Sequence, residues 1–206
     1  MKKNKNKKRG IVVDFIDSFE KIKKVHKNIP NFDFDCKNCK KNCCVSPYIS
    51  IIEFIYVTRY IIKNFEKPNE ILFKDNGRNS DGILLCPFLT NEKMCLIYPV
   101  RHYKCRMTGM DILDDIFTDV CEHKKELKWN LTPTITKQDW YSWIELLTKA
   151  NKSFNYDDQR TFQSWLRFCF QEKEKLNNHE IAIQDLIKNY LNIDNYIPYI
   201  DANDFL

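Results

Sequence analysis

The sequence predicts a mainly α fold, with a small irregular cysteine-cluster domain flanked by helices and a helical C-terminal extension. Three observations predict it. Apolar residues recur at three- and four-residue spacing on both sides of a central region, which is typical of amphipathic helices. Eight of the nine cysteines lie between residues 36 and 121. Only four glycines are present, which leaves little material for glycine-rich nucleotide-binding loops.

The size and composition of the chain indicate one substantial domain with an extension. The chain has 206 residues, and its contents of 43% apolar and 14% aromatic residues exclude wholesale disorder. We expect three parts. These are a disordered basic tail over residues 1–10, a cysteine-cluster domain with an N-terminal helix over 11–128, and a helical extension over 129–206.

The basic tail accounts for the formal net charge of +5, because residues 1–9 contain six lysines and arginines and no acid. We favour a solvated, disordered terminus. The alternative is a tail that contacts nucleic acid or anionic lipid. Asp14 and Asp17 interrupt the apolar run that follows, which argues against a secretory signal. No window approaches the roughly 18 to 20 apolar residues of a membrane-spanning helix. We therefore expect a cytoplasmic protein with neither membrane nor nucleic acid as its main partner.

The first elements follow from local patterns. The apolar spacing over residues 11–28 predicts an amphipathic helix that stops near Pro30. Residues 36–47 are polar between their cysteines, which predicts a loop that metal binding would fold. Ser50 and Glu53 have the spacing of a capping box, which predicts a helix from there to about residue 65. The same box makes Glu53 a helix cap rather than a catalyst.

Turn residues dominate the next part of the chain. Residues 75–82 contain Asp, Asn, Ser and two glycines, which predicts a turn-rich loop. Residues 83–85 form a short apolar run, and we expect them to be extended. Residues 111–127 have a helical pattern, which would place Cys121 on or beside a helix.

The C-terminal region is helical from about residue 134, where Thr136 and Asp139 form a possible second capping box. Two further helices are predicted near 158–175 and 179–191. We interpret the aromatic spacing in the first of them as core packing. The residues concerned are Phe162, Trp165, Leu166, Phe168 and Phe170. Cys169 lies among them and is expected to be a buried, inert thiol.

The eight clustered cysteines predict a metal site. Thiolates bind zinc and iron strongly, and the Cys36-x-x-Cys39 turn lets two sulfurs converge on one metal. Cys43 and Cys44 are adjacent, and neighbouring side chains diverge by about 100° on a helix and alternate faces on a strand. The pattern therefore indicates two nearby centres or one polynuclear centre. The expected ligands are Cys36, Cys39, Cys43, Cys44, Cys86, Cys95, Cys105 and Cys121.

Two alternatives to eight thiolate ligands stay open. The cysteines could instead be free thiols or form a disulfide framework, but against disulfides the chain has no recognisable secretion signal and is larger than the usual disulfide mini-domain. His102 and His123 lie near Cys105 and Cys121 and could each replace a thiolate, although we expect ordinary polar histidines.

Basic residues accompany the cysteines. Arg101 and Arg106 bracket Cys105, and a four-thiolate zinc site or an oxidised four-thiolate cubane cluster carries about two net negative charges. Cations and N–H donors beside such a centre lower the pKa of its thiols. We expect both arginines to pack beside the ligands or to support them.

Taken together, these residues resemble the YkgJ-like cysteine-cluster family, which has a zinc- or iron-chelating domain of the CxxCxxCC type. The resemblance covers residues 34–121. The matching residues are Cys36, Cys39, Cys43 and Cys44, then Glu53, then Cys86-Pro87-Phe88-Leu89, then the run from Cys95 through Ile97, Tyr98 and Arg101 to Cys105-Arg106, and Cys121. Two departures occur. Three residues rather than two separate Cys39 from Cys43, and His102 stands where the family usually has proline.

The resemblance implies iron, as an iron–sulfur cluster, or zinc bound through the eight cysteines, with a possible protein or peptide partner. It does not imply one biochemical role. A characterised relative, the flagellin lysine N-methylase FliB, gives the alternative of an iron–sulfur-dependent protein-modifying enzyme that uses S-adenosylmethionine. The sequence leaves open whether the protein is an enzyme, because no residue outside the ligand set can be assigned as an acid, base or nucleophile.

Overall fold

The computed structural model describes residues 19–24, 27, 44–107, 111–112, 134–135, 137–152 and 158–192. These residues belong to two compact units, each built from separate stretches of chain. The second unit contains the described residues 44–101 and 158–192, and the first contains the others. The described residues are mainly helical, as predicted, with 59% helix and few strands.

The elements are short apart from three helices of 14 to 16 residues. In chain order they are β1 (Ile49–Ser50), α1 (Ile51–Asn64), α2 (Pro68–Leu72), a 3-10 turn (Tyr98–Val100), α3 (Tyr103–Met107), β2 (Asp111–Ile112), β3 (Thr134–Ile135), α4 (Lys137–Lys152), β4 (Gln159–Arg160), α5 (Phe162–Phe170), a second 3-10 turn (Lys173–Lys175) and α6 (Asn178–Leu191).

The predicted capping box starts α1. The Ser50 hydroxyl accepts from the Glu53 amide at 3.4 Å, and a Glu53 carboxylate oxygen accepts from the Ser50 amide at 3.1 Å. Both residues are buried, so these bonds satisfy donors that water does not reach. The prediction of a helix from this box is confirmed, and so is the role of Glu53 as a cap.

The core of the second unit forms where α5 packs on α1. The ring centroids of Phe54 and Phe162 are 5.0 Å apart, and those of Phe88 and Phe162 are 4.7 Å apart. The indole nitrogen of Trp165 donates to the Ile49 carbonyl at 3.0 Å, and the Trp165 side chain is fully buried. The predicted core role of these aromatic residues is confirmed. Residues from the C-terminal third therefore complete the core around α1.

One strand pairing and one side-chain anchor connect further elements of this unit. β1 pairs antiparallel with β4, with Ile49 opposite Arg160. The buried Gln184 of α6 donates to the carbonyls of Phe168 and Gln171 at 2.8 Å, where α5 ends and its carbonyls lack helical partners. Cys169 is fully buried in α5, as predicted.

The first unit departs from the sequence prediction at β2 and at β3, since the C-terminal region was expected to be helical from about residue 134. Residues 111–112 were expected to open a helix, but they form β2, which pairs parallel with β3. The helical prediction is wrong there because a pairing partner about twenty residues later satisfies this backbone, and local periodicity cannot detect it. α4 follows β3, and residues 19–24 are helical with Phe19 and Ile22 buried. Thr136 lies outside the described residues.

None of the helices in the described ranges is long and apolar enough to cross a membrane. The predicted tail over 1–10 and the predicted boundary at residues 128–129 both lie outside those ranges. These two features of the domain division stay predictions.

Candidate metal centre

Cys44 and Cys86 lie directly across from each other on two paired segments. Val45 forms an antiparallel bridge with Leu85, and the Cys86 amide donates to the Cys44 carbonyl at 3.0 Å. Opposite residues of an antiparallel pair share one face, with Cβ atoms about 4.5–5.5 Å apart. The backbone register therefore places two of the predicted ligands on the same face of one ladder.

A second segment holds the other edge of the Cys86 strand. Arg78 bridges Leu84 in antiparallel sense, and the Leu85 amide donates to the Gly77 carbonyl at 2.9 Å. Gly77 has φ of +68°, a left-handed conformation that glycine adopts without steric cost. The turn-rich loop predicted over residues 75–82 therefore serves as a flanking strand and turn for the ligand segment.

A β-turn leads from Cys86 towards Cys95. The Leu89 amide donates to the Cys86 carbonyl at 3.2 Å, and Pro87 occupies the second position, where proline favours such a turn. The third residue, Phe88, is buried and anchors the turn in the core. Leu89 then forms an antiparallel bridge with Cys95. One turn and one bridge therefore connect Cys86 to Cys95.

The surroundings of Cys95 have opposing effects on the charge of its sulfur. Burial raises the pKa of the Cys95 thiol, whereas a hydrogen bond from the Ile97 backbone and the positive charge of Arg101 lower it. An amide two residues after a cysteine that points at its sulfur is also the arrangement of a metal-binding turn. Burial is the largest of these effects, so the thiol form is favoured when no cation is bound.

Arg101 is buried beside this turn and stacks on an aromatic ring. Its guanidinium carbon lies 4.1 Å from the centroid of the Tyr98 ring, and the residue is only 8% exposed. The 3-10 turn that contains Tyr98 packs on α1. A planar guanidinium stacked on an aromatic ring keeps its charge in a fixed place. Arg101 therefore lies near Cys95, which is one of the predicted ligands.

The other five predicted ligands do not lie in the ladder and turn that contain Cys44, Cys86 and Cys95 within the described residues. Cys36, Cys39, Cys43 and Cys121 lie outside the described residues. Cys105 lies on α3 in the first unit and is half-buried. Within the described ranges, no three His, Cys, Asp or Glu side chains are close enough together to hold a metal ion. The complete eight-ligand set stays a prediction.

His102 is buried and uncharged at neutral pH. Burial, and the neighbouring charge of Lys104, lower its pKa from 6.5 to about 3. The neutral imidazole is the form that can bind a metal. Arg106 is also buried, with 5% of its surface exposed, and its amide donates to the His102 carbonyl at 3.0 Å. His123 lies outside the described residues.

Sequence reasoning missed two residues that contact the Cys86–Leu89 turn. The Asn76 side-chain nitrogen donates to the Cys86 carbonyl at 2.6 Å and to the Leu89 carbonyl at 3.0 Å. The Lys74 ammonium donates to the same Leu89 carbonyl at 2.7 Å. Their only signal in the sequence is the turn-rich composition around them, which says nothing about which distant carbonyls they reach.

The donors present suit zinc or iron. None of the five cysteines in the described part of the chain forms a disulfide, and thiolates are the preferred ligands of both metals. Cys44 and Cys86 lie opposite each other in an antiparallel pair, in which Cβ atoms are about 4.5–5.5 Å apart. Two sulfurs about 2.3 Å from one tetrahedral metal are roughly 3.8 Å apart, which these side chains can reach.

Comparison of the whole chain with models of known protein families, with curated proteins and with solved structures found no match.

Proposed function

We propose that this protein is a metal-binding cysteine-cluster protein that coordinates iron, as an iron–sulfur cluster, or zinc. The eight ligands of this proposal are the cysteines at 36, 39, 43, 44, 86, 95, 105 and 121. The proposal includes a cytoplasmic location, because reducing conditions keep such thiols available for metal.

The observation that carries the proposal is the register of the ladder that contains Cys44 and Cys86. Two residues about forty positions apart in the chain come to lie opposite each other, on one face, and both are cysteines. Apolar or β-branched residues usually occupy such cross-strand positions. A pair of thiols at this separation is well suited to a shared metal.

The surroundings of Cys95 support the same proposal. The Ile97 amide and the Arg101 charge both act on its sulfur, although burial alone would keep it protonated. A bound cation would reverse that balance, since thiols that coordinate a metal lose their protons. Hydrogen bonds to sulfur and nearby cations are the means by which proteins adjust thiolate centres.

Anaerobic purification followed by metal analysis and an absorption spectrum tests the proposal. We expect either stoichiometric zinc in a colourless protein, or iron with acid-labile sulfide in a brown one. The first result would select structural zinc, and the second would select an iron–sulfur cluster. A protein that contains neither metal, and takes up neither on reconstitution, would contradict the proposal.

The variant Cys86→Ser tests the ligand assignment, with Cys169→Ala as its matched control. Cys86 lies in the ladder, whereas Cys169 is buried in α5 among aromatic residues. If two four-thiolate centres are present, loss of one ligand should remove up to about half of the metal. Cys169→Ala should keep the wild-type metal content. Equal metal in both variants would remove Cys86 from the ligand set.

The alternative of an iron–sulfur-dependent lysine N-methylase comes from the family resemblance alone. No contact within the described ranges favours it over a metal-binding protein without catalysis. It therefore stays a prediction. An assay with labelled S-adenosylmethionine and a candidate protein substrate would test it after iron loading.

A further inference from the structure

We infer that Asn76 is a positioning residue for the Cys86 thiol, because its side chain holds both ends of the turn that starts at Cys86. The inference rests on the proposed function, since it assigns a role in metal binding to a residue that is not a ligand. It also names a feature that neither the cysteine pattern nor the family resemblance indicates.

The geometry of the Asn76 amide is specific. Its nitrogen donates to the carbonyl of Cys86 at 2.6 Å and to that of Leu89 at 3.0 Å. These are the first and last residues of the turn. A primary amide nitrogen has two hydrogens, so one side chain supplies a donor to each end. The two carbonyl acceptors also fix which way the amide faces, because its own oxygen could not bond to either.

Asn76 is itself held in place by the loop that carries it. The amide of the next residue, Gly77, donates to the Asp75 carboxylate at 2.7 Å, and the Gly77 carbonyl accepts from Leu85 in the ladder. Lys74, two residues earlier, donates to the Leu89 carbonyl at 2.7 Å. The segment is therefore a preformed support on the opposite side of the strand from Cys44.

The support acts on the thiol through the peptide group. The orientation of the carbonyl of Cys86 fixes its backbone, and the backbone sets the direction in which its side chain leaves the ladder. Without the Asn76 amide, the Cys86 carbonyl and the Leu89 carbonyl each lose one hydrogen-bond donor, and the donors from the Leu89 amide and Lys74 remain. The thiol then loses part of its fixed placement opposite Cys44. Loss of such outer residues lowers metal affinity by about 10- to 100-fold in known metal sites.

The test compares Asn76→Asp with Asn79→Asp in titrations of the metal-free, reduced full-length protein with Co²⁺. Both substitutions add one negative charge to the same loop without changing side-chain size. Asn79 uses its side-chain oxygen, which accepts from Asp81 and Ile83 amides, and a carboxylate keeps both bonds. Asn76 uses its nitrogen, which a carboxylate lacks. An added negative charge attracts Co²⁺, so a weaker affinity cannot result from charge alone.

We expect Asn76→Asp to weaken Co²⁺ binding by about 10- to 100-fold, and Asn79→Asp to bind as wild type or more tightly. At saturating Co²⁺, the thiolate-to-cobalt absorption band of Asn76→Asp should change in intensity. A general loss of stability would not change that band. Asn76→Ala, which adds no charge, should show the same weakening.

Several results would overturn the inference. Wild-type affinity and spectrum in either Asn76 variant that keeps the wild-type circular dichroism would exclude a positioning role. Loss of the helical signal in both variants would make Asn76 a folding residue instead. A wild-type protein that binds no Co²⁺, zinc or iron would contradict the proposed function itself, and the inference with it. A wild type that binds metal with no effect of the Asn76 variants would contradict the inference alone.

Discussion

At the scale of single residues, His102 combines burial with a titratable ring. It is 2% exposed, and burial together with Lys104 lowers its pKa to about 3. In the unfolded chain its pKa returns to its ordinary value near 6.5. Below that pH the unfolded chain binds a proton that the folded chain does not bind, so acid favours unfolding through this residue.

We predict that acidification lowers the free energy of unfolding through His102. The decrease should be about 1.4 kcal/mol for each pH unit as the pH falls from about 6.5 towards 3. His102→Gln should remove this contribution. Urea unfolding at pH 7 and pH 5 measures it as a smaller pH dependence in the variant. His179→Gln is the control, since His179 is exposed on α6. The same pH dependence in His102→Gln as in wild type would show that the buried ring does not titrate in this way.

At the scale of elements, α1 and α6 both begin with a capping box, but only the box of α1 is buried. Ser50 and Glu53 start α1 from buried positions, whereas Asn177 caps α6 with Glu180 nearer the surface. A capping side chain satisfies an orphan amide in either place. In the buried box, water cannot replace the lost partner, so the same substitution should cost more.

We predict that Ser50→Ala lowers the free energy of unfolding by about 1–3 kcal/mol, and that Asn177→Ala lowers it by about 0.5–1 kcal/mol. Ser50→Thr keeps a hydroxyl oxygen at the cap and should recover part of the loss. Urea titrations monitored by circular dichroism give all three values. A cost for Ser50→Ala no greater than that for Asn177→Ala would mean that burial of the box adds nothing.

The elements that sequence could predict are those with local signals. The capping box at Ser50 predicted α1, and aromatic spacing predicted the buried face of α5. The two-residue strands gave no usable pattern, because alternation needs at least four residues to be recognised. β2, β3 and β4 therefore fall within stretches that were predicted as helix.

For the candidate site too, the sequence could predict the features that have local signals and not those that depend on long-range pairing. Residue type and spacing identified Cys44, Cys86 and Cys95 as ligand candidates without the structure. The pairing of Cys44 with Cys86 depends on a register between segments about forty residues apart, and no local rule specifies it. Asn76 was missed because asparagine in a turn-rich loop is ordinary. Its contacts with two carbonyls depend on the same long-range pairing.

At the scale of the whole molecule, the second unit needs both of its chain segments. Phe162 and Trp165 fill the core against Phe54, and Ser46 donates to the Gln163 side chain at 2.9 Å. Without residues 158–192, the buried face of α1 would be exposed to water. Exposure of one large aromatic side chain alone costs on the order of 1.5–3 kcal/mol.

We predict that a chain ending at residue 157 loses the helical signal of α1 and its bound metal. The control is a full-length protein with a protease site inserted within residues 153–157. After cleavage it should keep both the helical signal and the bound metal, because all residues of the second unit remain present. Circular dichroism and metal analysis of the two proteins make the comparison. Full metal content in the truncated chain would show that the thiols do not depend on the C-terminal helices.

The hydrogen bond from Trp165 to Ile49 also sets an order of events during synthesis. The two residues are 116 positions apart, so at 5–20 residues per second Trp165 is made about 6–23 s after Ile49. Cys44, Cys86 and Cys95 are all made before Trp165, so they enter the growing chain while the core lacks its indole. For the proposed metal site, this order of synthesis predicts that metal is loaded late in translation or after release from the ribosome, once the C-terminal third has joined the fold.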